Sequence, residues 1–332
     1  MRRKSIASGS PLSWACRLFA FFAALGLLFE VYLLVRSRAR NDRKFATCRK
    51  WQPTIQDYLI LRQQNIPPIQ STPLRLLNSS IVIEPSGKCR RPRGFFIVHS
   101  QSAHLDERNF IRNKYLKEIN PDKASGGICS VFVISAEQPE LSELHNEAKQ
   151  FDDLLVVDGI DSYHNITHKT RAWIRWLNDR HSGVQFVFKF DDDVQLEIQP
   201  LMRILEFFDR QRNVILCRVF PDGQISRNPE SKWFLSRFEY AQSSLGTYCQ
   251  GMAYAFSGNL LSKMSANIFH VQYLWMDDWY VTRALMNGTN AIYVDIGKHF
   301  VSANGNEDVT YLLTNGTARH EPIFGHFRPS NR

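Results

Sequence analysis

The sequence predicts an α/β fold with a mostly parallel sheet, preceded by an N-terminal transmembrane helix and a stem. Short apolar runs of strand length alternate with segments of helical periodicity over residues 91–332, and one long apolar segment lies near the N-terminus. Strands that alternate with helices are typical of a parallel sheet covered by helices on both faces. The 332 residues are enough for one large domain of this kind or two modest ones.

The apolar segment covers residues 18–35 and contains a single charged residue, Glu30. Its length is near the roughly 20 residues that cross a bilayer core. A cleaved signal peptide is the alternative, but its apolar region is usually about 7–15 residues long and small residues follow it. Here the arginine-rich stretch 36–40 follows, which favours a retained anchor. The predicted order is a cytosolic tail (1–17), a signal anchor (18–35), a stem (36–90) with local helix over 55–62, and a lumenal domain (91–332).

The positive charge belongs to the N-terminal segment. The formal net charge is +9, and residues 1–50 hold eleven Lys and Arg against two acidic residues, so the remainder of the chain is formally neutral. This distribution argues against a nucleic-acid partner for the main domain.

Acceptor tripeptides for N-glycosylation place the C-terminal part in the secretory lumen. They begin at Asn78, Asn165, Asn287 and Asn315. Five cysteines follow the anchor without a CxxC pair, and an odd number leaves one thiol over if the others pair within the chain. The spacing does not indicate which cysteines pair.

The domain's elements follow in order. The predicted strands are 95–99, 128–134, 154–157 and 184–190, and the predicted helices run through Tyr115 and Leu116 and over 137–150 and 165–178. The fourth strand ends in three aspartates. In open parallel sheets, ligands bind beyond the carboxyl ends of the strands.

Asp191, Asp192 and Asp193 have three interpretations. One is a solvated turn, since Asp favours turns. The second is a calcium loop, which needs further oxygen ligands and a glycine that the following VQLEI lacks. The third is a D-x-D pair, in which Asp191 and Asp193 point the same way and hold Mg²⁺ or Mn²⁺ beside a diphosphate. The strand-end position favours the third.

These residues carry a resemblance that extends over most of the chain beyond about residue 93. The segment resembles the β-1,3-glycosyltransferases, a family that includes β-1,3-galactosyltransferases, β-1,3-N-acetylglucosaminyltransferases and the Fringe enzymes. The matching stretches are 108–112 (RNFIR), 161–170 (DSYHNITHKT), 189–194 (KFDDDV), 248–254 (YCQGMAY) with Ser257, and 275–281 (WMDDWYV).

The resemblance implies a GT-A fold and inverting, Mn²⁺-dependent transfer from a UDP-sugar to a glycan acceptor, with a β-1,3 linkage, at the Golgi membrane. It implies that Asp193 is the main metal ligand, His299 a second ligand, and Asp278 the general base. Asp191 and Asp192 are implied to lie against the nucleotide and the donor sugar. Further implied donor-binding residues are Arg108, Arg112, Lys169, Lys189, Gly251 and Asp277.

Several of these residues keep a structural alternative. His299 is equally typical of a core histidine, and His320 and His326 compete with it as ligands. Arg108 and Arg112 share a helix face and reach either the nucleotide or the nearby acids at 106 and 107. Lys169 and Lys189 neutralise phosphates or are solvated. Asp277 and Met252 replace a Glu and a Gly of the family, which reshapes the pocket.

The chemistry of transfer needs two separate acidic sites. A metal stabilises the departing diphosphate, and one carboxylate removes the proton of the acceptor hydroxyl. Asp193 and Asp278 meet these needs, and an acid placed among aromatic residues, as Asp278 is, is costly unless paired or used. The alternative functions are a non-catalytic lumenal relative that binds glycans or a partner enzyme, and a UDP-sugar hydrolase.

Overall fold

A mixed sheet organises the part of the chain that the structure describes. The structure is a computed structural model and describes residues 58–63, 80–87, 89, 91–119, 127–208, 210–303, 313 and 321–327. The predicted cytosolic tail and anchor lie outside these residues. Within them, no helix is both long enough and apolar enough to cross a membrane.

The described strands are β1 (Leu59–Arg62), β2 (Ile81–Ile83), β3 (Gly94–His99), β4 (Ile128–Ala136), β5 (Leu154–Asp158), β6 (Phe186–Asp191), β7 (Val194–Leu196), β8 (Val214–Gly223), β9 (Gly246–Ser257), β10 (Ile292–Asp295), β11 (Phe300–Ala303) and β12 (Phe324–Phe327). The described α-helices are α1 (Leu105–Ile111), α2 (Leu141–Phe151), α3 (Ile166–His181), α4 (Ile198–Phe208), α5 (Leu261–Asn267) and α6 (Asp277–Trp279). A π-helical turn continues α1 over Arg112–Leu116 and α6 over Tyr280–Ala284.

The main sheet has the strand order β1-β10-β8-β9-β6-β3-β4-β5-β2 among the described residues. Strands β6, β3, β4 and β5 lie parallel to one another and form the predicted parallel centre. Strand β9 is antiparallel to both β8 and β6, and the edge strands β1 and β2 are antiparallel to β10 and β5. A second sheet pairs β12 with β11 and β7. The α/β architecture with a largely parallel central sheet is confirmed, and the antiparallel pairs were not foreseen.

The central strands form because both of their faces are covered. All six residues of β3 (GFFIVH) are buried, and β4 and β5 are almost continuously apolar, as parallel strands between helix layers are. Helix α3 turns Trp173, Ile174 and Leu177 into the core, as predicted, and the Trp173 ring stacks on Phe256 of β9. This packing fixes the carboxyl ends of β3 and β6, where the aspartates lie.

Two segments of the predicted stem belong to the folded unit instead. Residues 59–62 are a strand rather than part of a helix, because they pair with β10 at one edge of the sheet. Residues 81–83 pair with β5 at the other edge. A disulfide joins Cys89 to Cys129 of β4, and a second joins Cys217 of β8 to Cys249 of β9. Both segments precede the predicted boundary at residue 90 and still pair with the main sheet.

Candidate active site

The acidic run lies at a turn between β6 and β7. Asp191 is the last residue of β6, and the main-chain N–H of Asp192 donates to the carbonyl of His99, at the end of the neighbouring strand β3 (3.0 Å). The aspartates thus stand at the carboxyl edge of the parallel centre, as predicted.

A cleft of about 1080 Å³ opens beside this edge. Its size is that of a site for a substrate larger than a single sugar. It brings together the acidic run, the β9 segment around Gly251 and the start of α6. The lining residues are Asp106, Glu107, Phe110, Tyr163, Ile166, Lys189, Asp191, Asp192, Asp193, Val194, Gln195, Lys232, Trp233, Gln250, Gly251, Met252, Trp275, Met276, Asp277, Asp278 and His326.

Each aspartate of the run has a different partner. Asp191 accepts a hydrogen bond from Lys189, whose ammonium also donates to the carbonyl of Gly251 (2.7 Å). Asp192 lies 2.9 Å from His104 Nδ1. Asp193 lies 3.3 Å from His326 Nε2, on β12, and its side chain is 62% exposed.

These environments give the three carboxyl groups different pKa values. Burial raises the pKa of Asp191 to about 6, Lys189 opposes the rise and Asp193 adds to it. Burial likewise raises the pKa of Asp192. For Asp193 burial acts in the same direction, but the hydrogen bond and charge of His326 lower its pKa overall. The edge concentrates negative charge that a cation would neutralise.

The predicted second ligand is not at this edge. His299 is fully buried, and its ring nitrogens face the carbonyl of Glu321 (2.6 Å) and the hydroxyl of Tyr58 (3.4 Å). His326 contacts Asp193 instead, because β12 pairs antiparallel with β7, directly after the acidic run. Of the histidines that the sequence offers as ligands, His326 lies beside Asp193, whereas His299 is buried away from it. His320 lies outside the described residues.

Asp278 stands at the start of α6 beside β9. Its carboxylate accepts the main-chain N–H of Trp279 (2.8 Å). Burial raises its pKa to about 7, and the neighbouring Asp277 contributes to the rise. A carboxyl group with this pKa exchanges protons near neutral pH, as a general base must.

Asp277 and Gly251 border the same carboxylate. A Cβ on Gly251 would lie 2.9 Å from the Asp278 Cβ, so only glycine permits this approach of strand and helix. Burial raises the pKa of Asp277, which accepts a hydrogen bond from Thr170. Its Oδ1 is buried without a partner among the residues that the structure describes. Both residues were predicted to contact the donor, and both line the cleft.

The two predicted donor-binding arginines lie away from the cleft. Arg108 is 1% exposed, and all five of its N–H donors are used, by Glu147 (twice), Ser100 Oγ and the carbonyls of Gln101 and Ser102. This saturation contradicts a role for Arg108 in donor binding.

Arg112 bridges Glu147 (2.6 Å) and Asp153 (2.8 Å), and its guanidinium stacks over the Phe151 ring at 3.9 Å. Both arginines therefore join α1 and the turn after it to α2. Their acidic partners are not the predicted residues 106 and 107, which line the cleft instead.

The predicted lysines are both paired and buried. Lys169 of α3 donates to the carbonyl of Ser100 (2.9 Å) and to Asp161 (3.1 Å). Lys189 lies at the cleft, with its side chain 3% exposed and its charge between Asp191 and the Gly251 carbonyl. Lys189 is thus placed to organise the acidic edge, and neither lysine is solvated.

The four predicted glycosylation sites remain predictions. Asn165 is partly exposed just before α3, and its Nδ2 donates to the carbonyl of Ile160 (3.1 Å). Asn287 is partly exposed, and Thr289 of its tripeptide is buried with its hydroxyl bonded to Met286 O (2.6 Å). Asn78 and Asn315 lie outside the described residues.

Sequence reasoning missed the aromatic wall of the cleft. Tyr163, Trp233 and Trp275 line it, together with Lys232. Trp233 lies between β8 and β9, in a segment without periodicity, so no pattern indicated its place. The only signal was its large apolar ring in an otherwise polar stretch, RNPESKWF.

Comparison with known proteins adds to this geometry. The sequence model of the family described as Galactosyltransferase matches residues 106–296, more than half of the chain. Human β-1,3-galactosyltransferase 1 is 27% identical over 218 residues, which cover 64% of this chain and 66% of that protein. β-1,3-Galactosyltransferase 5 of Pan paniscus is 27% identical over 199 residues, covering 59% of this chain and 66% of that protein. The match thus spans slightly less than two thirds of these relatives.

A bifunctional glycosyltransferase, WbbM, aligns with a TM-score of 0.40 and 14% identity, covering 75% of this chain and 48% of that one.

Proposed function

The chain belongs to the galactosyltransferase family, and on that premise we propose that it transfers a hexose or N-acetylhexosamine, with galactose preferred, from a UDP-sugar to a glycan hydroxyl. The proposed reaction inverts the anomeric centre and forms a β-1,3 linkage. One observation carries the proposal: Asp278, whose pKa is raised by burial to about 7, lines the same cleft as the acidic strand end.

The acidic edge suits a divalent cation such as Mn²⁺. Carboxylate oxygens from Asp193 and Asp191 and the imidazole of His326 are donors of the kind that Mn²⁺ accepts. Among the described residues, no three His, Cys, Asp or Glu side chains surround one point. A metal that also binds a diphosphate keeps several coordination positions for it, so it takes only a few ligands from the protein. When bound, the cation would offset the charge of the departing diphosphate.

Asp278 removes the proton of the acceptor hydroxyl. As the acceptor oxygen bonds to the anomeric carbon, the bond from that carbon to the diphosphate breaks, and the proton passes to the Asp278 carboxylate. Lys189 holds Asp191 against β9 and so fixes the edge that faces the donor. Gly251 permits the Asp278 side chain to pack directly against β9 in the same cleft.

We further propose that the protein is a single-pass type II protein of the Golgi membrane with its catalytic domain in the lumen. Two disulfides support this location, because disulfides persist in oxidising compartments. The apolar segment 18–35 and the four acceptor tripeptides support it as well. If it is correct, treatment with an amide-cleaving glycosidase should increase the gel mobility of the protein expressed in cultured mammalian cells. Unchanged mobility would contradict lumenal exposure of these tripeptides.

A donor and acceptor screen tests the activity. The full-length chain is incubated with UDP-galactose, UDP-N-acetylglucosamine or UDP-N-acetylgalactosamine, Mn²⁺ and an acceptor panel, and both product and released UDP are measured. Asp278→Asn should strongly reduce transfer and keep UDP binding, whereas Asp179→Asn, at an exposed position of α3, serves as the matched control. UDP release without product would indicate a hydrolase. UDP or glycan binding without turnover by any donor would indicate a non-catalytic relative.

A further inference from the structure

The segment 224–245 between β8 and β9 forms one wall of the cleft outside the named helices and strands. One side chain makes three hydrogen bonds within this segment. The guanidinium of Arg227 donates to the carbonyls of Leu235 (2.6 Å), Tyr240 (2.7 Å) and Gln242 (2.9 Å). These three hydrogen bonds join the start of the segment to the residues that follow its tip, which is formed by Lys232 and Trp233. The tip therefore has a defined conformation before a ligand binds.

The tip presents a pair of aromatic rings to the cleft. Trp233 is 50% exposed, and its indole N–H donates to the hydroxyl of Tyr163 at 2.9 Å. Tyr163 is 46% exposed and comes from the turn before α3. The Lys232 ammonium lies 4.8 Å from the Trp233 ring and 5.2 Å from the Tyr163 ring, within range of cation–π attraction. Two distant segments are thus locked into one aromatic surface.

This surface combines exposed rings with hydrogen-bonding capacity. Because the indole donates to the Tyr163 oxygen, the phenol keeps its own O–H as a donor. Large rings that stay half exposed inside a concave site are typical of places where a ligand covers them. A sugar ring suits them, since its C–H face packs on aromatic rings while its hydroxyls meet the phenol and the carboxylates.

The charge of the cleft selects among sugars. Among the residues that the structure describes, seven carboxylates line it, against two lysines that are already engaged with a carboxylate or with aromatic rings. An anionic sugar would meet like charge here, whereas an uncharged pyranose would not. The aromatic surface and the acidic edge also differ in chemistry, so the donor diphosphate and the acceptor need not compete for one place.

We propose that Trp233 and Tyr163 form the subsite for an uncharged pyranose of the acceptor glycan and thereby determine acceptor specificity. This inference rests on the proposed transfer reaction for its substrate class. Its binding test does not depend on turnover.

Binding is measured by saturation-transfer NMR on the full-length chain with methyl glycosides of galactose, N-acetylglucosamine and N-acetylgalactosamine, and of glucuronic acid as the anionic probe. At least one neutral glycoside should receive saturation on its C–H face, and Trp233→Ala should remove this signal. The matched control is Phe238→Ala, a fully exposed aromatic on the same segment that does not line the cleft. Tyr163→Phe keeps the ring and should preserve most of the signal.

Kinetics provide the second readout. Trp233→Ala should raise the acceptor KM by about tenfold or more and leave the donor KM within about twofold. Equal increases in both KM values, an unchanged acceptor KM, or the same loss in Phe238→Ala would overturn the inference. If no UDP-sugar binds or reacts but neutral glycosides still saturate through Trp233, the proposed reaction fails and the subsite stands. If no neutral glycoside binds or reacts, the subsite fails.

Discussion

Gly251 sets the distance between strand β9 and the carboxylate of Asp278. A Cβ at this position would lie 2.9 Å from the Asp278 Cβ and 3.7 Å from its Cγ and Oδ2. Carbon atoms in favourable contact are about 3.5–4.0 Å apart. Gly251→Ala therefore requires the strand, α6 or the Asp278 side chain to move by roughly 0.6 Å or more.

Such a movement should reduce turnover more than stability. Overpacking a buried contact costs about 1–3 kcal/mol, which in a domain of this size lowers Tm by about 2–4 °C for each kcal/mol. Misplacing a catalytic group by about 1 Å can cost about 10²-fold in rate. We expect kcat to fall between about tenfold and hundredfold, with the Kd for UDP unchanged.

Steady-state kinetics, UDP titration and thermal unfolding test this expectation in four variants, namely Gly251→Ala, Asp278→Asn, their combination and a control. Gly183→Ala is the matched control, since a Cβ there meets no atom within 4 Å. The double variant Gly251→Ala/Asp278→Asn separates the possible causes. If the glycine acts through Asp278, it adds little to the loss already caused by Asp278→Asn. A kcat and a Tm equal to those of the wild type would refute the argument, and full additivity would show that Gly251 acts elsewhere.

Three further predictions concern acidity, a buried ion pair and a disulfide. Because Asp278 accepts a proton only when ionised and its pKa is about 7, kcat should rise from about pH 6 to about pH 8 and then level off; a flat kcat–pH profile would exclude Asp278 as the base. Glu147→Gln removes the shared counter-charge of two buried arginines and should destabilise the protein by about 3 kcal/mol in urea unfolding without changing UDP affinity. Glu143→Gln, at an exposed position, is its control. A weaker UDP affinity in Glu147→Gln would instead indicate that the arginines contribute to donor binding. Replacing Cys217 and Cys249 together by serine should lower stability by about 3 kcal/mol, measured by the same method, and equal stability would contradict their pairing.

The parallel centre of the sheet could be predicted because burial on both faces makes its strands apolar throughout. Strands β3, β4, β5 and β6 are of this kind, and the aspartates follow β6 as expected. The edge strands β1 and β2 are short and partly exposed, so their composition does not separate them from a stem. Only their pairing with β10 and β5 makes them strands.

The site residues that lie within short motifs could be predicted from the sequence. Contacts between segments that are distant in the sequence could not. Asp191, Asp193 and Asp278 line the cleft, as the motifs indicated. Arg108 also lies in one of the motifs, but its guanidinium is paired with Glu147, 39 residues away in the sequence. Trp233 reaches Tyr163 across 70 residues. Local spacing contains no information on such contacts, because tertiary packing alone creates them.

The pairing of β7 with β12 has a consequence for biosynthesis. His326 lies 133 residues beyond Asp193, and the strand that carries it is hydrogen-bonded to the strand that begins next to Asp193. During synthesis from the N-terminus, the parallel centre can therefore form well before β12 exists. A nascent chain would pass through a stage in which its sheet is built and its acidic edge lacks the imidazole. Proteolysis or a frameshift ahead of β12 would remove His326 from the acidic edge while the strands of the parallel centre stay in the chain.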